Sequence, residues 1–131
     1  MPEIPCSLPS RDATLRLVPR PADVNPNGDI FGGWVMAQVD VAGAVLAWRR
    51  ARGPVATVSV NSFLFKQPIS VGDIVSLYTE MVRIGTTSIT VRVEVYAERN
   101  HDKPITVKVT EAELTYVAID ANGNKRPLPP E

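Results

Sequence analysis

The chain has 131 residues, of which 44% are hydrophobic and 21% charged. That is enough for one packed core and too little for two ordinary ones, so a single domain over residues 1–131 is expected, with extended proline-rich ends at about 1–12 and 121–131. Fourteen lysines and arginines balance fourteen aspartates and glutamates, which excludes the broad positive field of a nucleic-acid binder and leaves any anionic partner to a local patch.

Lone Cys6 and lone His101 exclude an intramolecular disulfide and a four-ligand zinc cluster, and a metal-free cytoplasmic protein is expected. Residues 1–20 are broken by Pro2, Pro5, Pro9 and Pro19 and lack the apolar segment of a signal peptide. Residues 14–18 suit a short strand, and residues 19–29 a long polar loop punctuated by Pro19, Pro21, Pro26 and Gly28. Residues 30–48 then carry one charge, Asp40, and approach the length of a membrane span. Gly32, Gly33, Gln38 and Gly43 dilute that apolarity, and a central aspartate would cost about 2.5 to 3.5 kcal/mol on insertion. The expectation is a helix of about five turns surrounded by protein, capped by Asp29 and ended by Arg49, Arg50 and Arg52 before Gly53 and Pro54.

Beyond the helix the pattern alternates. Ala56, Val58, Val60 and Leu64 share one face of a strand, Pro68 and Gly72-Asp73 mark a turn, and residues 74–84 form a strand that Gly85 ends. In residues 88–98, Ile89, Val91, Val93, Val95 and Ala97 oppose Thr90, Arg92, Glu94 and Glu98, the mark of a half-solvated antiparallel strand. The last strand starts with Ile105, Val107 and Val109 inward and switches to Ala112, Leu114, Tyr116 and Ala118, which predicts a β-bulge near Thr110 and Glu111. Strand, loop, helix and four strands make an α+β layout. A helix apolar on nearly every side needs a curled sheet and a further cover, and a second copy of the chain is the simplest one.

On a helical wheel Asp40 lies among Gly33, Met36, Ala37, Gly43, Ala44 and Ala47, all but Met36 small, while Trp34, Val35, Val41, Val45 and Leu46 lie opposite. The bulky side is expected to anchor the helix to its own sheet, leaving the small side for another backbone or a slim ligand. The positions three and four residues from Asp40 hold Met36, Ala37, Gly43 and Ala44. A carboxylate in a crevice with no cation nearby is suited to accept a proton; the alternative is a structural carboxylate paired with an arginine or capping backbone.

The run PADVNPNGDIFGGW at residues 21–34, continued by Met36, Gln38, Asp40, Ala42 and Gly43, closely resembles the signature of the YciA-type acyl-CoA thioesterases of the hotdog-fold superfamily. NSFLFKQPISVGD at residues 61–73, YVAID at 116–120 and RPLP at 126–129 resemble further blocks of that family. The resemblance implies an antiparallel sheet wrapped around one long central helix, homodimers with active sites at the interface, and assembly into hexamers as trimers of dimers. It also implies hydrolysis of acyl-CoA, a small-molecule substrate of fatty acid metabolism, to a free acid and coenzyme A. No separate cofactor, nucleic-acid partner or membrane is expected, coenzyme A being part of the substrate and a product.

By the same resemblance Asp40 is the catalytic carboxylate and Asn25 a second active-site polar residue. Asp40 would act as general base on water, the preferred route, or attack directly to give an anhydride. The N–H groups near Gly32 and Gly33, at a positive helix end, suit the carbonyl oxygen. Otherwise the glycines serve helix-entry packing and Asn25 forms its own turn. For the coenzyme A phosphates the candidates are Lys66, Arg83, Arg99, Lys125 and Arg126, led by Lys66, which lies in the second block. Thr86 and Thr87 stand where relatives often carry a basic residue. His101 is expected to be exposed in a polar turn, and without a Gly-x-Ser-x-Gly elbow or second histidine a serine-hydrolase triad is set aside. Two other readings are an acyl-thioester dehydratase or hydratase, which usually needs a histidine near the helix start, and a non-catalytic acyl-CoA-binding regulator.

Overall fold

In the computed structural model, which describes residues 3–131, the elements in chain order are β1 (Pro5–Cys6), β2 (Leu15–Leu17), a 3-10 turn (Pro21–Asp23), α1 (Gly32–Ala51), β3 (Val55–Phe65), β4 (Ile74–Ile84), β5 (Ser88–Arg99) and β6 (Ile105–Ala118). All strands join one antiparallel sheet. β6 pairs with β5 on one side, and on the other with β3 along residues 110–118 and with β1 at residues 106 and 107. Beyond β5 follow β4 and then β2.

The sheet is apolar on the side facing α1. Val75, Leu77, Val91, Val93, Val95, Val107, Leu114 and Tyr116 are almost fully buried. The β-branched bulk of the five valines suits a pleated surface under a helix. On the opposite side Arg92 of β5 bonds Glu80 of β4 at 2.7 Å and Glu113 of β6 at 3.1 Å, cross-strand pairs that the register sets opposite one another. The alternation read in residues 88–98 is thus realised. The phase change in β6 is also present, because Val95 pairs with Thr110 and Tyr96 with Lys108, leaving Val109 as the extra residue of a bulge.

Three expectations are corrected. First, Asp29 does not cap α1. Phe31 occupies the cap position without a side-chain bond, while the Asp29 N–H donates to Asn25. At the other end Arg52 ends the helix in the left-handed region, φ 55°, its N–H bonding the Trp48 carbonyl.

Second, β3 does not alternate as Ala56, Val58, Val60 and Leu64. Val58 is the extra residue of one bulge and a second irregularity falls between Asn61 and Leu64. Thr57 therefore stands opposite Tyr116 and Val60 opposite Leu114, on the helix side, while Leu64 opposes Glu111 and is 71% exposed.

Third, the packed face of the helix does not divide as bulky against small: Gly43 and Ala47 of the small side are buried together with Val35 of the bulky side, while Gly33, Met36 and Ala37 of the small side are exposed. Val35, Val39, Ala42, Gly43, Ala47 and Ala51 are buried, whereas Met36, Val41 and Trp48 are about half exposed. The sheet supplies the bulk, so close packing needs small residues on the helix.

Candidate active site

The loop before α1 is built around Asn25. Its Oδ1 accepts the N–H groups of Asn27 at 2.9 Å and Asp29 at 3.2 Å, and its own N–H donates to the Asp29 carbonyl at 2.7 Å. Gly28 makes the tight turn at φ +85°. The loop is tied down by Ile30 N–H to the Ile69 carbonyl and Phe31 N–H to the Asp23 carbonyl, at 2.8 and 2.9 Å. An asparagine oxygen spent on its own turn leaves the amide NH₂ as the group that can serve a ligand.

Asn25 and Gly32 share a cleft of about 220 Å³ whose other walls include Val35, Phe65, Gln67 and Ile69. A β-carbon on Gly32 would lie 3.4 Å from the Phe65 ring, so glycine opens the helix start at the point where the ring crosses it. The first amides of a helix have no intrahelical acceptor, and with no side-chain cap here the N–H groups of Gly32 and Gly33 remain available at the positive end of the helix dipole.

Asp40 lies eight residues further along, about 12 Å up the helix axis at 1.5 Å per residue, and is half-buried. Thr57 Oγ1 donates to its Oδ1 at 2.8 Å and Tyr116 OH reaches the same oxygen at 3.2 Å and the Asp40 carbonyl at 2.9 Å. Among the described residues no cation forms a salt bridge with Asp40, and Oδ2 accepts no hydrogen bond. Burial, and then the charge of Asp40 and the bond to it, hold the Tyr116 phenol well above its ordinary range, so it stays a donor.

A base and oxyanion donors acting on one carbonyl must each come within about 3 Å of their atoms. Asp40 is not among the residues lining the cleft of Asn25 and Gly32, and within one chain the two groups are too far apart along α1 to share a thioester.

The cations separate into two kinds. Lys66, Arg83 and Lys125 are exposed. Lys66 follows Phe65 of the cleft wall, and its Nζ is 4.0 Å from Glu111. Arg99, by contrast, bonds Asp73 and the Pro68 carbonyl at 2.9 Å and Glu3 at 2.6 Å. Arg126 donates to the Ala51 carbonyl at 3.0 Å and the Ile119 carbonyl at 2.9 Å. Both guanidiniums are engaged in holding the fold. His101 is exposed and contacts the Gly72 carbonyl. Thr57 and Tyr116 are missed by sequence reasoning; the one available signal is Gly43, a glycine inside an apolar helix, which marks a close approach. No helix among the described residues is long and apolar enough to cross a membrane.

A long helix clasped by one antiparallel sheet, with a carboxylate midway along it, is the architecture of a hotdog-fold protein. Residues 27–103 match the Thioesterase superfamily. The chain is 46% identical to the acyl-CoA thioester hydrolase YciA of Escherichia coli (strain K12) over 95% of this chain and 96% of that one. It is 47% identical to the YciA of Salmonella typhimurium, with 92% of each chain covered. Among solved structures it resembles a hexameric hotdog-fold thioesterase of Campylobacter jejuni, TM-score 0.87 and 40% identity over 91% of each chain. It also resembles a hexameric thioesterase from Yersinia pestis, TM-score 0.86 and 44% identity over 95% of this chain and 100% of that one. The chain belongs to the YciA-type acyl-CoA thioesterase family of the hotdog-fold superfamily.

Proposed function

We propose that this protein hydrolyses acyl-CoA thioesters to free acid and coenzyme A, in sites that each combine Asp40 of one copy with the Asn25 and Gly32 cleft of another. The observation that carries this reading is the separation of base and oxyanion donors along α1, set beside an uncovered apolar face. Phe31, Met36, Val41, Trp48 and Val58 are each about half exposed, apolar side chains that a second copy of the chain would cover. Relatives that form hexamers support a further assembly of the pair.

In this site Asp40 Oδ2 takes a proton from water as the water oxygen bonds to the thioester carbon. Negative charge develops on the carbonyl oxygen, where the Gly32 and Gly33 N–H groups meet it. Collapse of the tetrahedral centre breaks the carbon–sulfur bond, and the proton that Asp40 took from water passes to the departing thiolate, giving coenzyme A and restoring the carboxylate. The Asn25 NH₂ group holds the thioester in line, and Lys66 meets a phosphate at the far end.

Thiol release from a panel of acyl-CoAs tests the chemistry. Asp40→Asn is expected to lose about 10² to 10⁴ in rate, and undiminished turnover would remove the mechanism. Coenzyme A binding without hydrolysis at any chain length would instead indicate a regulator. Co-expression of Asp40→Asn with Asn25→Ala chains tests the shared site, since a mixed pair regains one intact site only if the two groups come from different copies.

A further inference from the structure

We propose that Tyr116 is the positioning residue for Asp40: seated in the notch that Gly43 leaves in α1, its phenol ties Oδ1 to the helix so that Oδ2 is the oxygen left for water. The inference rests on the reading of Asp40 as the catalytic base.

Three observations carry it. The phenol oxygen lies 2.9 Å from the Asp40 carbonyl and 3.2 Å from Oδ1 of the same residue, so a single O–H bridges the backbone and the side chain of one aspartate. A buried tyrosine needs one partner for its hydroxyl, and the carbonyl alone would satisfy it; the reach to the carboxylate goes beyond that need. The ring itself is fixed, because Tyr116 is fully buried and faces Gly43, where any β-carbon would collide with the phenol oxygen and ring. Thr57 Oγ1 from β3 donates to the same Oδ1 at 2.8 Å, so two strands pin one oxygen and leave the other unbonded.

The consequence is kinetic. A carboxylate on the half-covered surface of a helix otherwise samples several rotamers, and a reacting group misplaced by about 1 Å costs on the order of 10²-fold in rate. A neutral donor at Oδ1 orients the carboxylate without removing its negative charge, which a bonded guanidinium would offset.

The test uses the full-length protein and an acyl-CoA that it turns over. Tyr116→Phe keeps the ring in its notch and removes only the hydroxyl. It is expected to lower kcat about 10-fold or more while KM stays within about twofold, and to have no further effect on the residual rate of Asp40→Asn. A kcat within twofold of the parent, or an equal loss in the Asp40→Asn background, would overturn the proposal. Gly43→Ala, which keeps every hydroxyl but displaces the ring, provides a second route should Tyr116→Phe fold poorly, and the same Asp40-dependent loss is expected. Parent-like turnover by Asp40→Asn would sink the catalytic reading itself, whereas an inactive Asp40→Asn beside a fully active Tyr116→Phe would sink only the positioning role.

Discussion

Gly43 of α1 and Tyr116 of β6 compete for one space: the phenol oxygen and two ring carbons of the tyrosine stand where a side chain at residue 43 would begin. Helix and sheet can come this close only because the helix contributes a glycine there. Overpacking a core costs about 1 to 3 kcal/mol, whereas alanine in place of a mid-helix glycine gains about 1 kcal/mol of propensity. Gly43→Ala is therefore expected to lower the urea midpoint; a midpoint at or above the parent value would show that the ring has room to move.

Thr57 donates the shorter of the two side-chain bonds to Asp40. Thr57→Val keeps the shape and removes the donor. Hydrogen bonds to charged groups contribute about 1.5 to 3 kcal/mol, so steady-state kinetics are expected to show a fall in kcat of about tenfold or more, smaller than that of Asp40→Asn, with KM little changed. A variant as active as the parent would mean that Thr57 plays no part in orienting the carboxylate.

The basic residues are expected to divide by what they touch. Lys66→Ala should raise KM for acyl-CoA several-fold and weaken the salt dependence of kcat/KM, the mark of an exposed cation meeting phosphate. Arg126→Ala should leave KM unchanged and cost about 1 to 3 kcal/mol in urea unfolding, because its guanidinium serves the Ala51 and Ile119 carbonyls. An increase in KM for Arg126→Ala would return it to the phosphate site.

Two tyrosines set an alkaline limit on stability. Burial, then the bond to Glu94, pushes Tyr96 up to about 12, and Tyr116 is raised by burial and by Asp40. An unfolded tyrosine releases its proton near pH 10, so above that point the folded protein holds protons that the unfolded chain has lost. The stabilisation is fully present below about pH 10 and is lost as pH rises through 12. Urea midpoints measured from pH 8 to 12 are expected to be level at first and then fall, more gently in Tyr116→Phe; a flat profile would contradict the shifts. Absorbance titration should also find Tyr116 ionising at lower pH in Asp40→Asn, because the neighbouring charge is gone.

How much of this was legible depends on where burial is one-sided. β5 could be read residue by residue because Val91, Val93 and Val95 are buried while Arg92 and Glu94 meet solvent, and its partner β6 revealed its bulge as a break in the same rhythm. β3 misled because its two irregularities shift the phase twice and its helix side is only partly covered within one chain. The helix is hard to read for a different reason: its buried face mixes Val35 and Val39 with Ala42, Gly43, Ala47 and Ala51, small residues where the sheet is bulkiest, as Gly43 is against Tyr116. Asp40 stood out as the one charge in an apolar run. Its donors did not, since Thr57 is 17 and Tyr116 76 residues away, and each resembles an ordinary strand residue. Arginines such as Arg99 and Arg126 carry no sequence mark that separates a solvated cation from one locked on Asp73 or on a carbonyl.

The place of β6 in the sheet has a consequence for biosynthesis. It emerges after the other five described strands, yet β1 and β3 pair only with it and β5 has only β4 besides, and Tyr116 and Arg126, which complete α1, emerge with it or after it. A nascent chain that has already made the helix therefore carries an unroofed rod and open strand edges until translation of this region is almost finished, the period in which contacts distant in sequence are slow to form and association with the wrong neighbour is fastest.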